Sequence, residues 1–244
     1  MKKYFLAPYA FTLLMVALIS CVSGGMPFQS IKGNKSVETQ NREVGSFESV
    51  SSYGSFNVYV SYANKTEVKV EAESNLLPYI ETSVESNKLI IKPVEGTSLS
   101  SNYPITIYIK SPYCKQSQLF GSGNMKVDGF SSDEISFEVK GSGNISAENI
   151  SIGQLKCSIA GSGDIKASGN VENSHVNIAG SGSVYLEDVQ SRTSTISIAG
   201  SGNAHVWVSE RLNGKISGSG DIYYKGNPTE VENTVFGSGK IKKL

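Results

Sequence analysis

The sequence predicts an all-β chain, folded as a parallel β-helix or β-solenoid of ~20-residue coils with an irregular N-terminal cap. Three observations predict it. Gly-Ser-Gly recurs seven times at near-constant spacing in the second half of the chain. Apolar residues flank every copy at fixed offsets. No proline lies between Pro112 and Pro228, as a stack of coils requires when each coil donates its amides to the next.

Composition excludes several other classes. The chain has 244 residues, of which 25 are Gly and 39 are Ser, so a flexible linker protein is the first rival. A hydrophobic content of 39% argues against disorder. No Gly-X-Y period runs through the chain, which removes collagen. With 22 basic and 22 acidic residues the net charge is zero, so no nucleic-acid partner is expected. Three cysteines are too few for a disulfide scaffold of this length.

The elements follow in order. Residues 1–21 read as a lipoprotein signal peptide: Lys2 and Lys3 precede an uncharged stretch from Tyr4 to Ser20. Leu18-Ile19-Ser20-Cys21 resembles a bacterial lipobox, which makes Cys21 the expected lipidation site and new N-terminus. Acyl chains on it would tether the protein to a membrane without a spanning helix. The expected location is the bacterial cell envelope, at the outer membrane. No acidic run of the kind that directs some lipoproteins to the surface follows Cys21, which favours the periplasmic face, though both faces stay open. Loss of residues 1–20 leaves 20 basic against 22 acidic residues. Residues 22–43 read as a polar tether.

Residues 44–115 read as the N-terminal cap and first irregular coils. Ser55–Val60 and Thr66–Ala72 alternate apolar and polar, while 88–92 and 104–110 read as more buried strands. Residues 75–80 fit a single helical turn. Gly54-Ser55-Phe56-Asn57-Val58 resembles the later repeat with one glycine replaced by Phe56. A small separate β-sandwich is the other arrangement these strands allow.

Residues 116–244 are the repeats. The corner glycines are Gly121 and Gly123, Gly141 and Gly143, Gly161 and Gly163, Gly180 and Gly182, Gly200 and Gly202, Gly218 and Gly220, and Gly237 and Gly239. Successive copies are spaced by 20, 20, 19, 20, 18 and 19 residues. Two positions before them stand Leu119, Val139, Ile159, Ile178, Ile198, Ile216 and Val235; two positions after stand Met125, Ile145, Ile165, Val184, Ala204, Ile222 and Ile241. A linker with incidental aliphatics would not keep these offsets. Period-two alternation on both sides of a glycine corner, repeated at this interval, is one solenoid coil per repeat. Inward residues should then stack on their equivalents about 4.8 Å away. At the far end Lys240, Lys242 and Lys243 surround the last strand, where charge blunts an exposed edge.

The search for chemistry returns little. The chain has two histidines, His175 and His205, and no zinc, phosphate-loop or dithiol motif. No catalytic residue, metal or cofactor is expected. Only Asp164 and Asp221 follow a corner as acids, too few for the calcium-binding glycine-rich repeat. A ladder of Asn and Asp satisfying corner amides accounts better for those positions. Asp128 and Glu148 fall on adjacent coils beside Lys126; a carboxylate pair for sugar chemistry is conceivable, but alternating surface charge is the commoner cause. Cys157 reads as a buried small hydrophobe, and its pairing with Cys114 is open. Tyr185, His205, Trp207 and Tyr223 fall on one outward face of three consecutive coils. They form the candidate contact patch, for a glycan, a protein or a second copy of the chain.

The lipoprotein signal, Phe47-Glu48-Ser49-Val50, the strand Val58-Tyr59-Val60 and serial Gly-Ser-Gly-Asn/Asp-Ile together resemble the putative auto-transporter adhesin, head GIN domain family of Bacteroidetes. The resemblance spans about 44–244. It implies a β-helical fold and an envelope location, and it carries no catalytic residues. The expected function is a lipid-anchored adhesin or envelope scaffold that presents a rigid surface, and not an enzyme. The alternative is a carbohydrate-binding or carbohydrate-active β-helix.

Overall fold

The computed structural model describes residues 29–244. The signal peptide, Cys21 and residues 22–28 lie outside the described residues. The described chain is almost wholly β-structure, with one short 3-10 turn at Leu77–Tyr79. Seventeen strands join into a single sheet that winds into a solenoid, and two more form a small parallel pair.

The repeats stack as their spacing predicts. Ser131–Gly141, Asn144–Gly161, Ile165–Gly180, Val184–Gly200 and Ala204–Gly218 pair in parallel, each with the next. Leu119, Val139, Ile159, Ile178, Ile198, Ile216 and Val235 stand in one register column. Met125 through Ile241 form a second such column after the corner. Both columns are buried until the last coil, where Val235 is 40% exposed because nothing stacks on it. Burial of aliphatic surface along these columns is the main force holding coil to coil.

The corners explain the glycines. Gly161 has φ +141°, and a Cβ there would stand 2.2 Å from the carbonyl oxygen of Gly141 in the preceding coil. The second glycine is constrained by contact: at Gly163 a Cβ would lie 1.9 Å from the Gly143 carbonyl oxygen. That close approach lets the Gly141 carbonyl accept from the N–H groups of Ser162 and Gly163 at 2.9 and 3.2 Å. The serine between the glycines points to solvent, so the corner asks nothing of it except small size.

The coil resembling an imperfect repeat joins the stack. Gly54 is in register with Gly121, Asn57 with Asn124 and Val58 with Met125. Its order in space differs from its order in the chain. The coil of Ser49–Gly54 and Asn57–Tyr62 is sandwiched between Gln116–Asp128 on one side and Lys88–Pro93 with Thr106–Ser111 on the other. Antiparallel strands then close the end. Ile80–Glu85 pairs with Lys88–Pro93, Glu67–Glu73 with Thr106–Ser111, and Val37–Arg42 with Glu67–Glu73. Reversing strand direction ends the parallel stack and protects its edge. One continuous core runs from Phe47 to Ile222, so these strands do not form a separate sandwich.

The expected tether needs correction over residues 29–42. Gln29–Lys32 pairs in parallel with Thr97–Ser100, and Val37–Arg42 adds an antiparallel strand to the cap. Their polarity reflects exposure: these strands lie on the surface and need few apolar residues. The turn between them is held by Glu73, which is 1% exposed. Its carboxylate accepts from the backbone N–H of Lys35 and from the N–H and side-chain amide of Asn102, at 2.5, 2.8 and 2.7 Å. Burial pushes its pKa up, but the donors from Asn102, Lys35 and Tyr103 outweigh burial and hold it below the ordinary value. A depressed folded-state pKa stabilises fully above the unfolded value, and that stability is lost as pH falls through the folded one. Glu73→Ala should therefore loosen residues 29–36 at neutral pH. Hydrogen exchange should show faster amides there, with the 145–206 amides unchanged. In the unaltered protein the same loosening should appear only below the ordinary carboxylate range.

Candidate functional site

The alternation that fills the core also writes the surface. One outward column after the corner contains, in register, Tyr108, Tyr59, Lys126, Ser146, Lys166, Tyr185, His205, Tyr223 and Lys242. Three members of the candidate patch form a continuous ring stack here. Tyr185 and His205 have centroids 5.1 Å apart with planes inclined 26°; His205 and Tyr223 are 4.7 Å apart at 23°. Lys242 caps the stack, its Nζ 5.2 Å from the Tyr223 centroid. Glu187 lies 3.4 Å from His205 Nδ1. The Tyr223 hydroxyl donates to Asp221 at 2.9 Å, and Lys242 Nζ to the same oxygen at 3.0 Å. These two donors, Lys242 foremost, hold the Asp221 carboxyl below its ordinary value.

The geometry limits what the stack can do. Its ring faces are turned toward one another along the solenoid axis, so it offers ring edges, hydroxyls and the imidazole to a partner. Flat stacking on a sugar ring would need an open face. Trp207 stands outside the stack. Three extra residues between Leu186 and Gln190 shift the register, and Trp207 pairs with Gln190 on one side and Lys225 on the other. It is half-buried, on the outward side of its strand.

Other aromatics are more exposed than the candidate patch. Tyr59 and Tyr108 stack at 5.5 Å and are 44% and 42% exposed. Tyr53 stacks on Phe120 at 4.5 Å, with Lys140 over the Phe120 ring. Tyr59 and Tyr108 sit at outward positions of alternating strands, Tyr59 between Val58 and Val60. That alternation was the available signal. What hid the pairs is that their strands are neighbours in space but distant in sequence.

The remaining polar residues are structural. Asn124 donates its amide to Asn57, and Asn144 to Asn124, at 3.2 and 3.1 Å. Further along, the backbone N–H groups of Asp164, Ser183, Asp221 and Lys240 donate to side-chain oxygens one coil back. This is the expected corner ladder. Asp128 and Glu148 are in register, but Glu148 is bound to Lys126 at 2.8 Å and Asp128 to the Asn149 amide. Among the described residues no cluster of three or more His, Cys, Asp or Glu side chains is placed to hold a metal ion. Cys114 and Cys157 are buried free thiols. Burial pushes the Cys114 thiol up to about 11 and the Cys157 thiol up to about 12, so both stay protonated and poorly nucleophilic.

Comparisons with known proteins agree with this architecture. No curated protein matches the chain. A crystal structure from Parabacteroides distasonis, named a putative lipid binding protein, is 28% identical. It matches 88% of this chain and 100% of its own with a TM-score of 0.76. A putative adhesin from Bacteroides fragilis is 23% identical over 88% of this chain and 100% of its own, with a TM-score of 0.82. A putative adhesin from Parabacteroides merdae is 20% identical, covers 88% and 99%, and has a TM-score of 0.71. These last two show a shared fold. The family model described as "Putative auto-transporter adhesin, head GIN domain" matches residues 46–228, from the first stacked coil to the turn before the last, and the chain belongs to that family.

Proposed function

We propose that the protein is a lipid-anchored adhesin of the bacterial envelope, held by Cys21 and acting by binding rather than catalysis. The observation that carries this reading is the registered solenoid itself. Outward positions beside the corners repeat at the coil spacing, so the rod presents fixed rows of side chains there. Such rows suit recognition of extended partners. Family membership supports the adhesin reading. The name of the Parabacteroides distasonis relative raises lipid binding as another reading. Against it stands an interior filled by stacked aliphatic columns, which leaves the acyl chain on Cys21 as the lipid contact. The stack Tyr185–His205–Tyr223, with Trp207 beside it, is one contact row of the adhesin.

Two measurements test this. Cells expressing the full chain should incorporate labelled palmitate and hold the protein in the membrane fraction. Cys21→Ala should abolish the label and release the protein. An unlabelled wild type would overturn the anchor. Beads coated with the mature protein should be retained on bacterial or host cell layers. Trp207→Ala should leave thermal unfolding unchanged and reduce retention severalfold; retention no better than uncoated beads would overturn the adhesin reading.

A further inference from the structure

A second row of side chains runs along the solenoid, separate from the ring stack, and lines the largest of the open grooves described. Ser131, Ser151, Asn170 and Gln190 stand in register on four successive coils, and all four are exposed. None of their side chains carries a hydrogen bond among the described residues. Gln190 is in turn in register with Trp207. The groove over this row has a volume of about 1170 Å³, and Tyr62 and Tyr113 line its other end. Those two tyrosines are 53% and 56% exposed. The row is therefore a floor of hydroxyl and amide groups with two aromatic residues, Tyr62 and Tyr113, at one end of the groove.

The neighbouring row sets the charge. Asp133, Glu172 and Arg192 line the groove, with Gly153 leaving space between the two carboxylates. Arg192 is committed to Glu210, at 2.8 and 3.2 Å. Lys115, also on the groove wall, is bound to Glu48 at 2.7 Å. Neither Asp133 nor Glu172 has an ion-pair partner among the described residues. The lining charges therefore balance, and both cations are already paired with carboxylates, so the groove offers an anionic ligand no unpaired cation. Carboxylates, amides and hydroxyls at regular intervals are acceptors and donors for sugar hydroxyls. Tyr62 and Tyr113 supply apolar ring surface of the kind that packs on sugar rings. The rise per coil, about 4.8 Å, is close to the length of one hexose unit in an extended chain.

We propose that this groove binds an extended, neutral polysaccharide segment lying along the solenoid axis, about one sugar unit per coil. The proposal deepens the adhesin reading and rests on it, by naming the chemical class that one face of the rod recognises. A peptide segment laid in the groove is the competing occupant.

The test uses the mature chain, residues 21–244, and calorimetric titration. The probes are cellohexaose, xylohexaose, laminarihexaose and chitohexaose, with hexagalacturonate as the acidic comparator. At least one neutral hexamer should bind, at least tenfold more tightly than its own dimer and than hexagalacturonate. Asn170→Ala and Gln190→Ala should each weaken it severalfold, and the pair together by more than tenfold. Both positions are exposed, so thermal unfolding should not move. Tyr185→Ala, in the separate ring stack, should bind as the unaltered protein does. Binding to none of the four neutral hexamers would overturn the proposal, as would binding indifferent to Asn170 and Gln190 or binding of hexagalacturonate alone. Groove variants that lose cell retention yet show no sugar binding would favour the peptide and overturn it too. Cell retention that survives while every sugar fails leaves the adhesin reading standing and removes the groove alone, so the two failures are distinguishable.

Discussion

Gly161→Ala should destabilise the protein by at least about 3 kcal/mol and lower the unfolding midpoint by roughly 6–12 °C. Two costs act together. An alanine at φ +141° is held in a region that side chains rarely adopt. Its Cβ would also stand 2.2 Å from the Gly141 carbonyl oxygen, so either coil must move. Movement breaks the pair of hydrogen bonds that Ser162 and Gly163 donate to that carbonyl. The carbonyl of Gly161 accepts the same pair from Ser181 and Gly182, so the damage reaches the coils on both sides. Ser162→Ala is the matched control: one residue away, exposed, and expected within about 0.5 kcal/mol of the unaltered protein. Equal effects from the two variants would show that corner geometry is not what fixes the glycines.

The same corner explains why so much of the fold was legible. A glycine at positive φ cannot be exchanged freely, and an inward residue cannot become polar, so both leave marks at a fixed interval from Leu119 to Ile241. Register, core columns and the corner ladder could all be read from those marks. The cap could not be read in the same way. Gly54 lies 67 residues before its register partner Gly121, because after Tyr62 the chain builds the closing strands and the coil on the far side of Ser49–Tyr62 before it returns at Gln116. No interval records such a detour. Surface strands left even less: Val37–Arg42 is polar because it is exposed, and in composition it is indistinguishable from a tether. At the candidate site, alternation correctly turned Tyr185, His205, Trp207 and Tyr223 outward. It did not reveal that Trp207 is out of register with Glu187, because the extra residues after Leu186 lie in the preceding coil and leave the alternation of 204–208 intact. The pairing of Gln190 with Trp207 is therefore a property of the folded chain alone.

The second large effect is expected inside the stack, at Phe137. It is fully buried, in register with Ser117 on one side and Cys157 on the other, and both of those are buried as well. A large ring between two small residues is how a column of equal spacing accommodates an aromatic: the neighbours yield the volume that the ring takes. Phe137→Ala should therefore cost about 3–5 kcal/mol, at the upper part of that range, because neither Ser117 nor Cys157 can expand into the space. Urea unfolding would give the total loss. The thiol of Cys157 gives the local one. Burial holds it protonated, with a pKa of about 12, so in the unaltered protein it should resist alkylation until the coil opens. In Phe137→Ala it should be alkylated faster than in the unaltered protein by a factor matching the measured loss of stability, if the solenoid unfolds as one unit. A larger acceleration at Cys157 than at Cys114 would mean that the coils around residue 137 open on their own, as nearest-neighbour coupling in a stacked repeat allows. Phe137→Leu, which keeps most of the volume, should give less than half the effect on both readouts.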